Sequence, residues 1–142
     1  VSGDTTSGGL ARLDWSVPEG TDGVILELGA NDALRGLPPE KTRDNLEAMI
    51  KRLQERGIAV LLAGMLAPPN MGGDYEAKFN AIYPDLAARY GLTLYPFFLD
   101  GVTGNPDQLL GDGMHPNPNG INTMVEKILP VAEQFLSQIK AE

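Results

Sequence analysis

Three short apolar runs, at 24–28, 58–64 and 92–98, alternate with longer stretches whose apolar residues recur at helical spacing. Few folds satisfy this alternation. Val24-Ile25-Leu26-Glu27-Leu28 ends at Gly29, and Ile58 to Gly64 and Leu92 to Phe98 each follow a glycine. Runs of this length, bounded by turn formers, read as strands buried on both faces. Glu27 interrupts the first and needs a partner or an exposed end. Pro38-Pro39 opens a helix in which Leu46, Met49, Ile50 and Leu53 share a face, ending at Gly57. Tyr75, Phe79, Ile82, Tyr83 and Leu86 mark a second helix, running to about Tyr90 and stopped at Gly91. Pro84 falls inside it and is expected to kink it. A short helix is expected from Ser7 to Leu13. A last helix, capped by Asn117 or Asn119, carries Ile121, Met124, Val125, Ile128, Val131, Phe135 and Ile139. Strands separated by helices predict right-handed crossovers and a parallel sheet with helices on both faces. The 142 residues suffice for a single domain, 1–142, with one sizeable core.

Composition excludes several functions. The net charge of -8 argues against nucleic acid or anionic lipid as the main partner. No apolar run approaches the length of an integral membrane segment. With one histidine and no cysteine, the chain lacks the ligands of an ordinary zinc site, disulfides and a thiol nucleophile. Compartment stays open.

In open parallel sheets, ligands bind at the carboxyl ends of the strands. Three suggestive stretches come after the three predicted strands. The last holds Asp112 and His115, three residues apart among Gly111, Gly113 and Pro116. Histidine titrates nearest neutral pH, and an acid on one ring nitrogen fixes its tautomer, leaving the other nitrogen as a base. The plain alternative is a solvated surface turn. Asn31, in Gly29-Ala30-Asn31-Asp32, can aim its carboxamide at a developing oxyanion, or close its own turn. Asp32 reads as a turn or supporting acid. Gly3 leaves a bare backbone N–H, suited to a second oxyanion donor or to a simple turn. The loop from Met65 through Pro68, Asn70 and Met71 to Gly73 reads either as a wall for an acyl or aryl group or as a structural proline-rich loop.

Ser2-Gly3-Asp4-Thr5, then the run Leu26 to Gly36, then Asp112-Gly113-Met114-His115-Pro116-Asn117 resemble three blocks of the SGNH (GDSL-type) hydrolases. The likeness is closest to the bacterial arylesterase, thioesterase I and lysophospholipase branch. Ala81 to Pro84 and Tyr95 to Phe98 also look like that branch. The resemblance implies a flavodoxin-like three-layer α/β/α sandwich needing no cofactor. It implies His115 as general base and acid, Asp112 as its orienting carboxylate, and Gly3 and Asn31 as oxyanion donors. Pro68, Asn70 and Met71 fall on its substrate-side loop. The implied substrate is a small ester or thioester, as in arylesterases, acyl-CoA thioesterases and lysophospholipases. A periplasmic or secreted location is what such relatives suggest.

The family's nucleophile is a serine in a Gly-Asp-Ser block after its first strand, and these residues hold no such block. The serines are Ser2, Ser7, Ser16 and Ser137. Gly3-Asp4-Thr5 looks similar, but its neighbouring residues match the second block, and neither Thr5 nor Ser7 is preceded by a strand. The expectation is therefore a domain lacking its first strand and helix, completed by an N-terminal segment that carries the serine, attached upstream or present as a separate piece. Without that strand, sheet edges and part of the core face water. Two other readings stay open: a catalytically silent binding module, and a flavodoxin-like or nucleotide-binding domain, against which the lack of a phosphate loop counts.

Overall fold

A computed structural model describes residues 4–141 of the chain. The chain divides into two compact units, Val1–Pro96 and Phe97–Glu142.

The first unit is an α/β layer built from the expected alternation. It runs through α1 (Thr6–Ala11), α2 (Leu13–Ser16), β1 (Gly23–Leu26), α3 (Ala30–Leu34), α4 (Pro39–Glu55), β2 (Ala59–Ala63), α5 (Gly73–Tyr90) and β3 (Thr93–Tyr95). The three strands are all parallel in the order β1-β2-β3, with Val24 opposite Val60 and Leu62 opposite Leu94. The predicted faces of α4 and α5 form the core: Leu46, Met49, Ile50, Leu53, Phe79, Ile82, Tyr83 and Leu86 are buried, as are Val60 to Ala63 of the central strand. Pro84 lies inside α5 without ending it.

The third strand is shorter than the apolar run 92–98. Pro96 has no N–H for a ladder. Beside it, Gly64 donates its N–H to the Tyr95 carbonyl at 2.7 Å. A Cβ on Gly64 would stand 2.3 Å from the Pro96 carbonyl oxygen, so only glycine fits this approach. Two further elements escape the periodicity. The short α3 opens directly after Gly29, and Pro69–Met71 forms a single 3₁₀ turn within the loop read as irregular.

The second unit joins a 3₁₀ turn at Pro106–Gln108 to α6 (Pro118–Ala141). Asn117 caps α6: its Oδ1 accepts from the Gly120 N–H at 2.9 Å. Its Nδ2 donates to the carbonyls of Asp107 and Leu109, tying the helix start to the turn. Phe135 and Val102 are buried, whereas Ile121, Val125, Leu129 and Leu136 of α6 are exposed.

β1 and β3 are the edge strands among the described residues, and Ile25 on β1 is 48% exposed. Leu61, opposite it on β2, is fully buried. Leu61→Ala is therefore expected to cost about 2–5 kcal/mol, and Ile25→Ala about 1 kcal/mol or less. Equilibrium urea unfolding of both variants checks this; equal losses would contradict the burial assignment.

Candidate active site

The strand β1 delivers its chain end into a tightly held corner. Gly29 adopts φ +123°, a conformation that disfavours any side chain, and a Cβ there would meet the Tyr83 hydroxyl at 1.9 Å. That hydroxyl donates to the Leu28 carbonyl at 2.6 Å. Nearer the start of α5, Tyr75 donates to the Leu37 carbonyl, also at 2.6 Å. Tyr75 stacks on Phe79, and Phe79 meets Tyr83 edge to face. One aromatic face of α5 thus clamps both ends of segment 28–37, which carries Asn31 and Asp32. Burial, with Glu27 and Asp32 nearby, pushes the Tyr83 phenol far above its ordinary value.

Within that segment, Asn31 donates from Nδ2 to the Asp4 carbonyl at 3.0 Å. This uses one of the two carboxamide hydrogens, and the second has no acceptor among the described residues. Asn31 lines a polar pocket of about 100 Å³ with Asp4, Arg12, Glu27, Leu28, Gly29 and Ala30. Arg12 is ion-paired to Asp4 at 2.7 Å. Half-buried Glu27 also lines this pocket, and burial pushes its carboxyl above its ordinary value. A larger groove, about 390 Å³, lies between α4 and α5 and contains none of the predicted site residues. Gly3 falls outside the described residues.

Asp112 and His115 come together in the second unit. An antiparallel bridge between Leu109 and Pro116 closes their loop, and the Leu110 N–H donates to the His115 carbonyl at 2.7 Å. Asp112 Oδ1 accepts the backbone N–H groups of Met114 at 2.9 Å and His115 at 3.0 Å. Asp112 Oδ2 lies 2.6 Å from His115 Nδ1. The carboxylate can only accept, so Nδ1 carries the proton and a neutral ring keeps its lone pair at Nε2. The Met114 N–H, then the His115 ring and backbone N–H, hold the Asp112 carboxyl down at about 2.

The predicted substrate loop contains one 3₁₀ turn, Pro69–Met71. Pro68 precedes the 3₁₀ turn that carries Asn70 and Met71, and Asn70 is exposed. The Met71 methyl lies 3.6 Å from where a Cβ on Gly36 would sit, so this turn borders the segment that carries Asn31. The loop is anchored behind by the Ala67 N–H, which donates to Asn80 Oδ1 at 2.8 Å. Thr5 and Ser7, weighed as replacement nucleophiles, and the other described serines each make a side-chain hydrogen bond. Ser7 Oγ accepts from Asn45, Ser16 Oγ accepts from Arg12, Ser137 Oγ donates to the Gln134 carbonyl, and Thr5 Oγ1 caps α1 by accepting from the Gly8 N–H. Ser2 lies outside the described residues.

A GDSL-like lipase/acylhydrolase family model matches residues 1–121. The chain belongs to that family. It is 44% identical over 119 residues to an arylesterase of Vibrio mimicus, covering 83% of this chain and 60% of the relative. It is 39% identical over 137 residues to the esterase TesA of Pseudomonas aeruginosa, covering 96% of this chain and 68% of that protein. The crystal structure of the psychrotrophic esterase EstA from Pseudoalteromonas superposes with a TM-score of 0.89 at 32% identity, covering 96% of this chain and 75% of that one. The chain thus spans about 60% of the arylesterase's length. The parallel sheet with its helices is the α/β class expected of SGNH hydrolases.

The Asp112 carboxyl titrates below its ordinary value of 3.8, so its stabilising contribution is present above pH 4 and is lost as pH falls toward 2. A carbon-detected NMR titration is expected to place its midpoint at about 2. In His115→Ala the midpoint should rise only part of the way, because both backbone donors remain. An ordinary midpoint in the unmodified protein would contradict the geometry.

Proposed function

We propose that this chain is the larger part of a serine hydrolase acting on small carboxylic esters or thioesters. The observation that carries the reading is the 2.6 Å contact between Asp112 Oδ2 and His115 Nδ1, in a chain of the GDSL-like family. In the proposed reaction a serine outside these residues attacks the acyl carbonyl, and His115 takes its proton at Nε2. The imidazolium, steadied by Asp112, then protonates the departing alcohol or thiol. Water, deprotonated by the same nitrogen, releases the acid and regenerates the serine. The Asn31 carboxamide and the Gly3 N–H donate to the oxyanion of each tetrahedral intermediate. Pro68, Asn70 and Met71 bound the acyl or aryl group.

The serine's origin is part of the proposal. Positions 1–142 hold no Gly-Asp-Ser block, and the relatives are longer than this chain. The half-exposed Ile25 on the β1 edge offers apolar surface and backbone donors and acceptors that an added strand would cover. An N-terminal segment carrying the nucleophile fits that edge. Relatives named as arylesterase, esterase and thioesterase 1/protease 1/lysophospholipase L1 support the ester or thioester class. The lack of a Gly-Asp-Ser block in these residues equally favours a second reading, a module that binds without turning over.

An Asn31→Ala variant at the polypeptide's natural length is expected to lose about 100- to 1000-fold in kcat with little change in KM on a chromogenic short-chain ester. Undiminished kcat would refute the oxyanion role. Absence of any turnover in the unsubstituted protein would favour the silent module.

A further inference from the structure

Beneath Asn31 lies a node of polar side chains that the proposed reaction does not use. Asp32 is only 1% exposed. Its Oδ1 accepts the Thr6 backbone N–H at 2.8 Å; its Oδ2 accepts the hydroxyls of Thr6 at 2.5 Å and Thr42 at 2.8 Å. The Thr6 hydroxyl in turn accepts from Asn45 Nδ2 at 3.1 Å, and Asn45 also donates to Ser7 Oγ at 3.0 Å. Thr6 and Thr42 are fully buried. Among the described residues no cation pairs with this carboxylate. Three neutral donors from α1 and α4 hold it instead, so one side chain of α3 joins three helices.

Resting on the hydrolase reading above, we infer that Asp32 is a positioning residue for the Asn31 oxyanion donor. Two clasps join the same two segments. Asp32 grips Thr6, and Asn31 grips the carbonyl of Asp4, two residues earlier. The Asn31 carboxamide can keep one orientation only while its acceptor stays in place. That acceptor's segment is held by the Asp32 clasp. Releasing the clasp lets residues 4–6 shift against α3 and turns the carboxamide away from the line on which charge develops. Misplacement by about 1 Å is enough to cost up to about 100-fold in rate. The tyrosine clamps on Leu28 and Leu37 fix the ends of this segment; Asp32 fixes its middle.

Thr6→Val removes one hydroxyl leg while keeping shape, and Thr6→Ser keeps the hydroxyl. Both are compared with Asp32→Asn in the natural-length protein. The readout is the Asn31 side-chain NH₂ signal in ¹⁵N NMR, identified by its disappearance in Asn31→Ala. In Thr6→Val this signal is expected to move and to exchange with solvent at least about 10-fold faster, with kcat down about 10- to 100-fold and KM within about twofold. Thr6→Ser should restore both. An unmoved Asn31 signal in folded Thr6→Val would overturn the inference, as would lowered stability with unchanged kcat per folded molecule. If Asp32→Asn does not fold, the two Thr6 variants decide. If the unsubstituted protein hydrolyses no ester, the hydrolase reading fails while the NMR signal still decides whether Asp32 orients Asn31.

Discussion

The structure turns on what happens where β1 ends. A strand of a parallel sheet must leave it without stranding buried backbone polar groups, and β1 does so at Gly29. The Leu28 carbonyl receives the Tyr83 hydroxyl, and the space that hydroxyl fills is the space a side chain on Gly29 would need. The two residues exclude alternatives for one another: tyrosine at 83 demands glycine at 29. With that exit held, α3 begins at once, Asn31 faces the Asp4 carbonyl and Asp32 turns into the interior. The candidate donor and the buried acid are consecutive residues on a helix of five, so their opposite environments arise from helical geometry.

The Asp112–His115 pair is built on a different principle. It owes nothing to burial: both side chains are exposed, and an isolated ion pair in such a setting contributes little to stability. Its order comes from the loop. Two backbone N–H groups converge on Asp112 Oδ1, leaving Oδ2 for the ring. The main chain thus holds the carboxylate by contacts independent of the imidazole ring. Its value to a hydrolase is therefore directional, setting which ring nitrogen keeps the lone pair. Asn117 serves the same end by capping α6 while holding the carbonyls of Asp107 and Leu109.

Much of this was legible from residue order, because it depends on local periodicity. The apolar faces of α4 and α5 come from spacings of three to four, and the three strands from short apolar runs bounded by turn formers. The Asp112–His115 contact comes from a separation of three within a turn. What periodicity could not reveal depends on long-range partners. Tyr75 and Tyr83 read as core positions on α5, and nothing local says that their hydroxyls reach Leu37 and Leu28. Asp32 read as a turn or supporting acid. Its burial requires Thr6 and Thr42, which lie 26 and 10 residues away and carry no motif of their own. Leu92 to Phe98 read as one apolar run, but Pro96 and the close approach of Gly64 end the ladder at Tyr95.

Trapping with a serine-directed alkylphosphonate, then peptide mass spectrometry, tests the central claim most directly. The account predicts one phosphonyl group per natural-length polypeptide, on a serine outside positions 1–142, with labelling abolished by His115→Ala. Labelling of Ser2, Thr5, Ser7, Ser16 or Ser137, or labelling that survives His115→Ala unchanged, would contradict it.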